Sequence, residues 1–532
     1  MKLDVRGIRI GGNVEMTHNG ATSPPAFRRG SRQPPLKTRE IVMPHALARI
    51  VSKPRVASRR HALLRSGTAL CAGVILALTL GAMRPASAQT LTPQQQLAVD
   101  IYKELVEINT VTDTGDTARA ADAMAARLRA AGFADADVQV FKPAPRKGNL
   151  VARLHGTGAR KPMLLLAHID VVEARREDWS TDPFRLVEKD GYFYGRGTGD
   201  DKFMAATFVT NLIRYKQEGY RPDRDIILAL ETDEEILDAN AMGIQWLLKN
   251  HRDLIDAEFA LNEGGGVGIR RGKTIRNSVQ TSEKVYYNYR LEVTNKGGHS
   301  SLPVPDNAIY HLAEGLARLS KFTFPLKFND TTRAYFAKTG ELETEQTAAD
   351  IRAVLAPTPD PTALARLSQN AAHNAQLRTT CVATMLEGGH AYNALPQTAR
   401  AIVNCRIMPG EKVEDVAATL KGVLADDQIS LTPIGQAVLS APSALEEGLM
   451  SAIEKTSGEF WPGVPVVPIM SAGGTDGSFL RNAGIPTYGN SGLASDVDDV
   501  RAHGRDERVG IKAFFDGGEY LYRLVKRLSG DK

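Results

Sequence analysis

The sequence contains few cysteines, and it has no internal repeat. Only three of its 532 residues are cysteines, and their spacing matches no zinc-finger pattern. Cys71 lies in a segment that we expect to be removed, which leaves Cys381 and Cys405 in two strands predicted to be neighbours. In an oxidising compartment these two could form a disulfide. Two free buried thiols are the alternative, and the sequence slightly favours them.

Outside residues 1–88, the chain has no excess of basic over acidic residues. Residues 1–88 hold 15 of the 66 Lys and Arg residues but only 3 of the 61 Asp and Glu residues. The remainder has 51 basic and 58 acidic residues, a net charge of about −7. A nucleic-acid-binding function is therefore not indicated by charge.

The first segment has the features of an export signal. The basic stretch 59–65 precedes an apolar run over 68–83, and Ala-Ser-Ala at 86–88 matches a cleavage site. The run is short for a membrane span, which favours a cleaved signal peptide. An uncleaved membrane anchor is the alternative interpretation. The twin arginine within 59–65 leaves both twin-arginine export and general secretion open. Residues 1–42 are an extended leader unless translation starts at Met43. We expect a periplasmic or secreted protein.

The rest of the chain has an ordinary globular composition, with 42% hydrophobic and 24% charged residues. Apolar spacing predicts a helix from Thr92-Pro93 to about Ile108 and a second over 118–131. Strands and helices then alternate, which favours a layered α/β domain with its functional groups at strand ends. The predicted strands are 149–154, 163–172, 225–230 and 257–261, with helices after Lys202 and around 244–248.

The pattern changes near Val285, where alternate apolar residues through Val293 indicate a half-exposed strand. A helix over 306–319 follows, then a polar insertion of about 55 residues. Strands at 379–386 and 398–408, a helix at 411–425 and a strand at 429–434 complete the β-α-β-β-α-β order of a ferredoxin-like module. We expect this α+β module to be inserted into the first domain. The predicted division is a removed leader at 1–88, a catalytic domain at 89–283 and 437–532, and the inserted domain at 284–436.

Several predicted strands and turns end in polar side chains that suit metal binding. The buried strand before His168 would present His168 and Asp170 on one face, as a ligand with its orienting carboxylate. A glycine-rich turn carries Asp200, and it lacks the spacing of a phosphate-binding loop. Acidic residues at 231–235 and Glu263 also follow apolar strands, where a cation would relieve their repulsion. With His503 near the carboxyl end, the set suits two divalent cations bridged by a carboxylate.

Taken in order, these motifs resemble the co-catalytic zinc exopeptidase family. That family includes carboxypeptidase S, glutamate carboxypeptidase, carnosinase, aminoacylase, acetylornithine deacetylase and succinyl-diaminopimelate desuccinylase, and the carboxypeptidase S branch is most similar. The resemblance covers about 92–530. The motifs are His168-x-Asp170, Gly195-Arg196-Gly197-x-x-Asp200-Asp201-Lys202, Glu234-Glu235, Glu263-Gly264-Gly265, Gly298-His299-Ser300-Ser301, Gly473-Gly474-Thr475-Asp476 and His503-x-x-Asp506-Glu507.

The resemblance implies a role for each matching residue. Asp200 would bridge two Zn²⁺ ions, with Co²⁺ or Mn²⁺ as possible substitutes. His168 and Glu263 would complete one ion's ligands, and Glu235 and His503 those of the other. The remaining roles are the following: Asp170 orients His168, Glu234 is the general base, His299 of the inserted dimerisation or lid domain reaches the partner subunit's active site, and Asn393, Arg406, Gly474 and Thr475 hold the substrate.

The implied function is metal-dependent hydrolysis of an amide bond in a dipeptide, a short peptide or an N-acyl amino acid. Glu234 would take a proton from a water bridging the metals, while the metals and His299 stabilise the oxyanion. Arg406 could bind a substrate carboxylate bidentately or form a salt bridge within the lid sheet. A homodimer is expected. Two alternatives stay open: a catalytically silent exported peptide-binding protein and a single-metal enzyme. We assign substrate side-chain specificity to loops such as the insertion at 321–378.

Overall fold

The computed structural model describes residues 91–236 and 241–530, so the predicted leader at 1–88 lies outside the described residues. The helices are α1 Pro93–Glu107, α2 Thr117–Ala130, α3 Lys202–Gln217, α4 Ile244–Asn250, α5 Arg252–Ile255, α6 Ala308–Leu319, α7 Asp330–Thr339, α8 Glu345–Leu355, α9 Pro361–Leu367, α10 Ala371–Leu377, α11 Val413–Leu424, α12 Glu447–Phe460, α13 Gly477–Asn482 and α14 Ile511–Leu528.

The strands lie between these helices and form two large sheets and two small ones. The strands are β1 Val138–Ala144, β2 Lys147–Leu154, β3 Met163–His168, β4 Val187–Lys189, β5 Tyr192–Tyr194, β6 Ile226–Glu231, β7 Phe259–Asn262, β8 Val267–Arg270, β9 Lys273–Glu283, β10 Val285–Thr294, β11 Gly298–His299, β12 Thr380–Gly388, β13 Ala394–Leu395, β14 Thr398–Ile407, β15 Ser430–Ile434, β16 Val466–Ser471, β17 Thr487–Gly489, β18 Ala494–Asp496 and β19 Arg508–Gly510.

The larger sheet is the framework of the catalytic body. Its order is β1-β2-β6-β3-β7-β17-β9-β8-β18, and β16 pairs with β9. The central strands β6, β3, β7 and β17 run parallel. Alternate residues of β3 face opposite layers: Leu165 packs with α1, α2, α3 and α14, and Leu164 packs with α4, α5 and α13. Parallel central strands with helices on both faces confirm the predicted layered α/β fold.

The second sheet forms the lid, in the order β12-β14-β10-β15 with every pair antiparallel. Helices α6 and α11 cover one face and share a separate apolar core with it. The chain order β10, α6, β12, β14, α11, β15 is the predicted ferredoxin-like order. The predicted domain boundaries at 283/284 and 436/437 stay a prediction.

The insertion at 321–378 differs from the loop that we predicted. Most of it forms the four short helices α7 to α10, and Asn329, Thr344, Asp360 and Asn370 cap their amino-terminal backbone N–H groups. Its core contains Phe336 and Ile351 and includes Val467 of β16. The insertion is therefore a small helical unit with its own core and not the loop that we predicted, and its assignment to substrate specificity stays a prediction.

The two remaining cysteines are also placed differently from the interpretation that the sequence favoured. Cys381 of β12 and Cys405 of β14 occupy directly paired positions and form a disulfide. Paired residues of antiparallel strands lie close enough for such a bond. The interpretation as two free thiols was therefore wrong.

Candidate metal centre

The carboxyl ends of neighbouring strands bring the predicted metal ligands together. β3 ends at His168, β6 ends at Glu231, the first residue of the acidic run, and β7 ends just before Glu263. Because these strands run parallel, their carboxyl ends share one edge of the sheet. Asp200 precedes α3, and His503 lies in the loop before β19. All five predicted ligands and Glu234 meet at this edge.

Asp200 lies between the two histidines, with one carboxylate oxygen towards each. Its Oδ1 is 3.0 Å from Nε2 of His168, and its Oδ2 is 3.2 Å from Nε2 of His503. Glu263 Oε2 lies 3.9 Å from His168 Nε2, and Glu235 Oε2 lies 3.0 Å from His503 Nε2. This arrangement matches a bridging carboxylate with one histidine and one glutamate on each side.

The cluster contains two overlapping groups of three residues. Within each group the ligand atoms all lie within 4.8 Å of one another, a spacing that a single ion can span. One group is His168, Glu234 and Glu263, and the other is His168, Asp200 and Glu235. The buried Oε1 of Glu235 has no hydrogen-bond partner among the described residues. The donor set therefore fits divalent cations that accept nitrogen and oxygen ligands.

The pKa values of these residues reflect how closely the carboxylates are packed in a buried site. Burial and the nearby Asp200 carboxylate raise the pKa of Glu263 to about 8. Hydrogen bonds to Asp200 and Glu235 raise the pKa of His503 to about 10. Burial alone would raise the pKa of Asp200, but hydrogen bonds from both histidines lower it. A divalent cation bound here would relieve the repulsion among the carboxylates.

Asp170 supports the cluster through more than one contact. His168 Nδ1 lies 3.1 Å from the backbone carbonyl oxygen of Asp170 and 3.6 Å from its carboxylate. The carboxylate accepts hydrogen bonds from the backbone N–H groups of Glu234 (3.3 Å) and Glu235 (3.2 Å) and from the Thr112 hydroxyl. Nε2 of His168 is thereby directed at Asp200, and the turn that carries the glutamates is fixed.

Glu234 lines a cavity of about 710 Å³ between the cluster and the lid. Burial and the Glu263 carboxylate raise the pKa of Glu234 well above its usual value. Gly474 and Thr475 line the same cavity, as does a mainly apolar wall formed by Ile236, Tyr286, Tyr287, Ile434, Val438 and Phe479.

Arg406 lies on the lid beside this cavity. Its guanidinium carbon is 4.6 Å from the centre of the Tyr286 ring, and its Nη1 donates a 2.9 Å hydrogen bond to the carbonyl oxygen of Ala472. Among the described residues it forms no salt bridge within the lid sheet. A planar cation with spare donors at this place can bind a carboxylate.

His299 and Asn393 lie together on the lid, and among the described residues no hydrogen bond or ion pair joins either of them to a predicted metal ligand. His299 of β11 pairs with Ala394 of β13, and the Asn393 carbonyl oxygen accepts the N–H of Ser300. His299 Nδ1 accepts the backbone N–H of Ser301 (3.2 Å) and also contacts its hydroxyl. Because a backbone N–H can only donate, Nδ1 is the acceptor and the exposed Nε2 carries the proton.

Glu507 belongs to the centre but received no role from the sequence. Its carboxylate is buried and accepts hydrogen bonds from Arg196 Nη1 (2.6 Å) and from the backbone N–H groups of Gly197, Gly199 and Asp200 (3.1, 2.7 and 3.2 Å). Arg196 also donates to the carbonyl oxygen of Gly504. The pair thus joins the turns that carry Asp200 and His503. The only signal was that Glu507 lies in the motif of His503.

Comparisons with known proteins agree with this geometry. N-fatty-acyl-amino acid synthase/hydrolase PM20D1 of Homo sapiens is 30% identical over 387 residues, covering 70% of this chain and 75% of that protein. Probable carboxypeptidase S-like 2 of Dictyostelium discoideum is 29% identical over 377 residues, covering 69% of this chain and 71% of that protein.

A solved structure shows the same fold. The M20 family metallo-carboxypeptidase Sso-CP2 from Sulfolobus solfataricus aligns with a TM-score of 0.57 and 18% identity, covering 81% of this chain and 98% of that one. The sequence profile of peptidase family M20/M25/M40 matches residues 164–527, which include all five predicted ligands. The chain therefore belongs to peptidase family M20/M25/M40 and, as its motifs predicted, is a metal-dependent amide hydrolase.

Proposed function

We propose that the protein is an exported dizinc hydrolase that removes an apolar acyl group from N-acyl amino acids. The observation that carries the proposal is the position of Glu234, between the ligand cluster and a cavity with a mainly apolar wall. The name of the human relative points to the same substrate class. A short peptide with an apolar amino-terminal residue offers the same chemistry and is the second candidate.

The two ions would be held by the clustered ligands, with Asp200 shared between them. His168 and Glu263 complete one set, and Glu235 and His503 complete the other. Bound there, two divalent cations lower the pKa of a coordinated water and polarise the amide carbonyl. Imidazole and carboxylate ligands accept Co²⁺ or Mn²⁺ as well as Zn²⁺, so zinc is proposed on the ligand types alone.

Glu234 would act as the general base and then as the acid. Its carboxylate faces the cavity, and burial and the Glu263 carboxylate raise its pKa well above the usual value. A raised pKa makes a carboxylate a stronger base towards water, and the protonated form can return its proton to the leaving amine. Asp170 holds the backbone of this residue, which keeps the base in place.

The substrate carboxylate would be bound by Arg406 on the lid, opposite Gly474 and Thr475 of the catalytic body. The guanidinium already contacts Ala472, two residues before Gly474. The acyl group would then extend along the apolar wall formed by Ile236, Ile434 and Phe479. Burial of apolar carbons there is worth about 0.8 kcal/mol per CH₂ group, which favours longer acyl chains.

His299 and Asn393 would serve the site of a partner subunit in a homodimer. His299 Nε2–H is exposed and available to donate to an oxyanion. β12 is an edge strand of the lid sheet, and its Val382, Met385 and Leu386 are 58–67% exposed. An exposed apolar edge strand is suited to pairing with a second copy.

Export is supported by the leader motifs and by the Cys381–Cys405 disulfide, because disulfides persist in oxidising compartments. No helix among the described residues is long and apolar enough to cross a membrane.

Mass spectrometry of a substrate panel tests this function. The purified protein is stripped with a chelator, reloaded with Zn²⁺ and incubated with N-acyl amino acids of increasing acyl length and with dipeptides. We expect turnover only after reloading, with kcat/KM rising with acyl length.

A variant of the cavity wall tests whether the acyl chain binds there. Phe479→Ala should lower kcat/KM for long acyl chains by about tenfold and leave N-acetyl substrates nearly unchanged. A preference for N-acetyl substrates in the wild type would contradict the acyl assignment. Binding of substrate without turnover in the reloaded protein would favour a silent binding protein, and full activity with one ion per chain would favour a single-metal enzyme.

A further inference from the structure

A buried ion pair lies beside the cavity, outside the metal cluster. Glu283 ends β9 and pairs with Arg481 of α13, and both side chains are at most 5% exposed. Glu283 Oε1 accepts hydrogen bonds from the Thr475 hydroxyl (2.6 Å) and from Gln280 Nε2 (2.9 Å). The carboxylate therefore holds a predicted substrate-binding residue directly.

The pair also contacts both chain segments that connect the catalytic body with the lid. Glu283 is separated from β10 of the lid by Lys284 alone. The chain returns from the lid through 435–446, where the Ser440 hydroxyl accepts a 3.0 Å hydrogen bond from Arg481 Nε. The neighbouring Asn482 donates to the carbonyl oxygen of Leu439. Helix α13 is thus tied to the outgoing and the returning segment.

The loop 472–476 lies between this pair and the lid. Its first residue, Ala472, accepts a hydrogen bond from Arg406 of the lid, and Thr475 is bound by Glu283. The Thr475 hydroxyl oxygen in turn accepts the backbone N–H of Gly477 at 3.3 Å. A shift of the ion pair would therefore be transmitted to Thr475 and change its distance from Arg406.

A buried ion pair is an expensive way to stabilise a fold, since apolar side chains of similar volume are often at least as stable. Burial lowers the pKa of Arg481 to about 10, so the guanidinium stays charged at neutral pH and needs its partner. Removal of the carboxylate leaves a buried charge without compensation. The pair is better explained by the hydrogen bonds that it forms with Thr475 and Ser440 than by a gain in folding stability.

We propose that Glu283 and Arg481 are positioning residues that fix the loop 472–476 relative to the lid, so that Thr475 and Arg406 bind one substrate carboxylate together. The proposal rests on the proposed function for its substrate. It assigns no chemical step to either residue, because neither contacts the metal ligands. The pair acts through Thr475, and its loss should affect substrate binding more than the chemical step.

Hydrogen–deuterium exchange and steady-state kinetics on Glu283→Gln test the proposal. Glutamine can still accept the Thr475 hydroxyl, but it leaves Arg481 without a counter-charge. We expect amide exchange over 472–477 to become at least about fivefold faster and KM to rise about tenfold, with kcat within threefold. Thr475→Val should raise KM similarly, and the double variant should add less than a further twofold, because both changes remove one interaction.

Asp350→Asn is the matched control. Asp350 binds Arg366 through both carboxylate oxygens in the helical insertion; its carboxylate is buried like that of Glu283, whereas Arg366 is 45% exposed. We expect it to leave exchange over 472–477 and KM unchanged. If Glu283→Gln does not fold, Glu283→Gln with Arg481→Met removes both charges and should give the same faster exchange.

Wild-type exchange in the folded Glu283 variant, a fall in kcat at constant KM, or additive effects with Thr475→Val would overturn the proposal. Absence of amide hydrolysis in the wild type would defeat the proposed function alone, since the exchange measurement needs no substrate.

Discussion

Some residues of the metal centre could be placed in the site from the sequence, and others could not. His168, Asp200, Glu235 and Glu263 follow strands or precede a helix, so the shared edge of a parallel sheet predicts that they meet. Glu507 could not be assigned in this way. Its partners are backbone N–H groups of a turn about 300 residues away, and such contacts depend on tertiary packing.

Glu507 provides a prediction about metal affinity. Glu507→Gln removes the charge that holds the N–H groups of the Asp200 turn and the guanidinium of Arg196. We expect zinc affinity at the weaker site to fall by about 10–100-fold, the range found for residues that orient metal ligands. Competition with a chromophoric chelator measures this. Glu519→Gln, which removes a surface partner of Arg214, is the control, and equal affinity in both variants would refute the role.

Lys284 provides a prediction about pH. Burial lowers its pKa to about 7, although Glu411 opposes the shift, and its Nζ donates to the carbonyl oxygen of Arg378. Between pH 7 and 10 the unfolded chain binds more protons at this lysine than the folded chain does, so stability rises with pH. In Lys284→Met, which has no titrating amine at this position, we expect this contribution to the free energy of unfolding to be absent.

Chemical denaturation at several pH values measures the effect of Lys284. The free energy of unfolding of the wild type should increase relative to Lys284→Met by roughly 1–2 kcal/mol between pH 7 and 9. The exposed Lys512→Met should show no such trend. A difference that stays constant or falls with pH would contradict the lowered pKa.

At the scale of elements, the periodic spacing of apolar residues predicted most of the order of strands and helices. The β-α-β-β-α-β order of the lid was predicted from its successive strands and helices, and the alternation in β10 marks the face that packs on α6 and α11. The insertion was missed because its helices have at most 11 residues and bury only part of their surface. Their cap residues, such as Asn329 and Asp360, were the available signal.

The disulfide was left open because spacing in the sequence carries no information on strand register. Cys381 and Cys405 pair only because β12 and β14 align them. Closing a loop with a sequence separation of 24 residues should stabilise the lid by roughly 3 kcal/mol. Thermal unfolding with and without a reductant tests this. The Cys381→Ala and Cys405→Ala double variant should be insensitive to reductant, and an equally insensitive wild type would argue against the bond.

At the scale of the whole molecule, the proposed role of His299 in the site of a partner subunit would make each active site depend on a second chain. Mixing two inactive variants, His299→Ala and Glu234→Gln, tests this. A mixed dimer has one intact site, so random reassociation should restore about a quarter of wild-type activity. Leu386→Asp places a charge on the exposed edge strand and should abolish both dimerisation and this recovery. No recovery from a mixture that forms dimers would exclude the role of the partner subunit's His299.

The activity of Glu234→Gln, measured together with its metal content, tests most directly whether Glu234 acts as the base at a two-metal centre. Glutamine keeps the size of the side chain but cannot take a proton. We expect two zinc ions per chain, as in the wild type, and a fall in kcat of about 10²–10⁴-fold, the usual contribution of a general base. A variant that retains both ions and hydrolyses amides within tenfold of the wild-type rate would contradict this role.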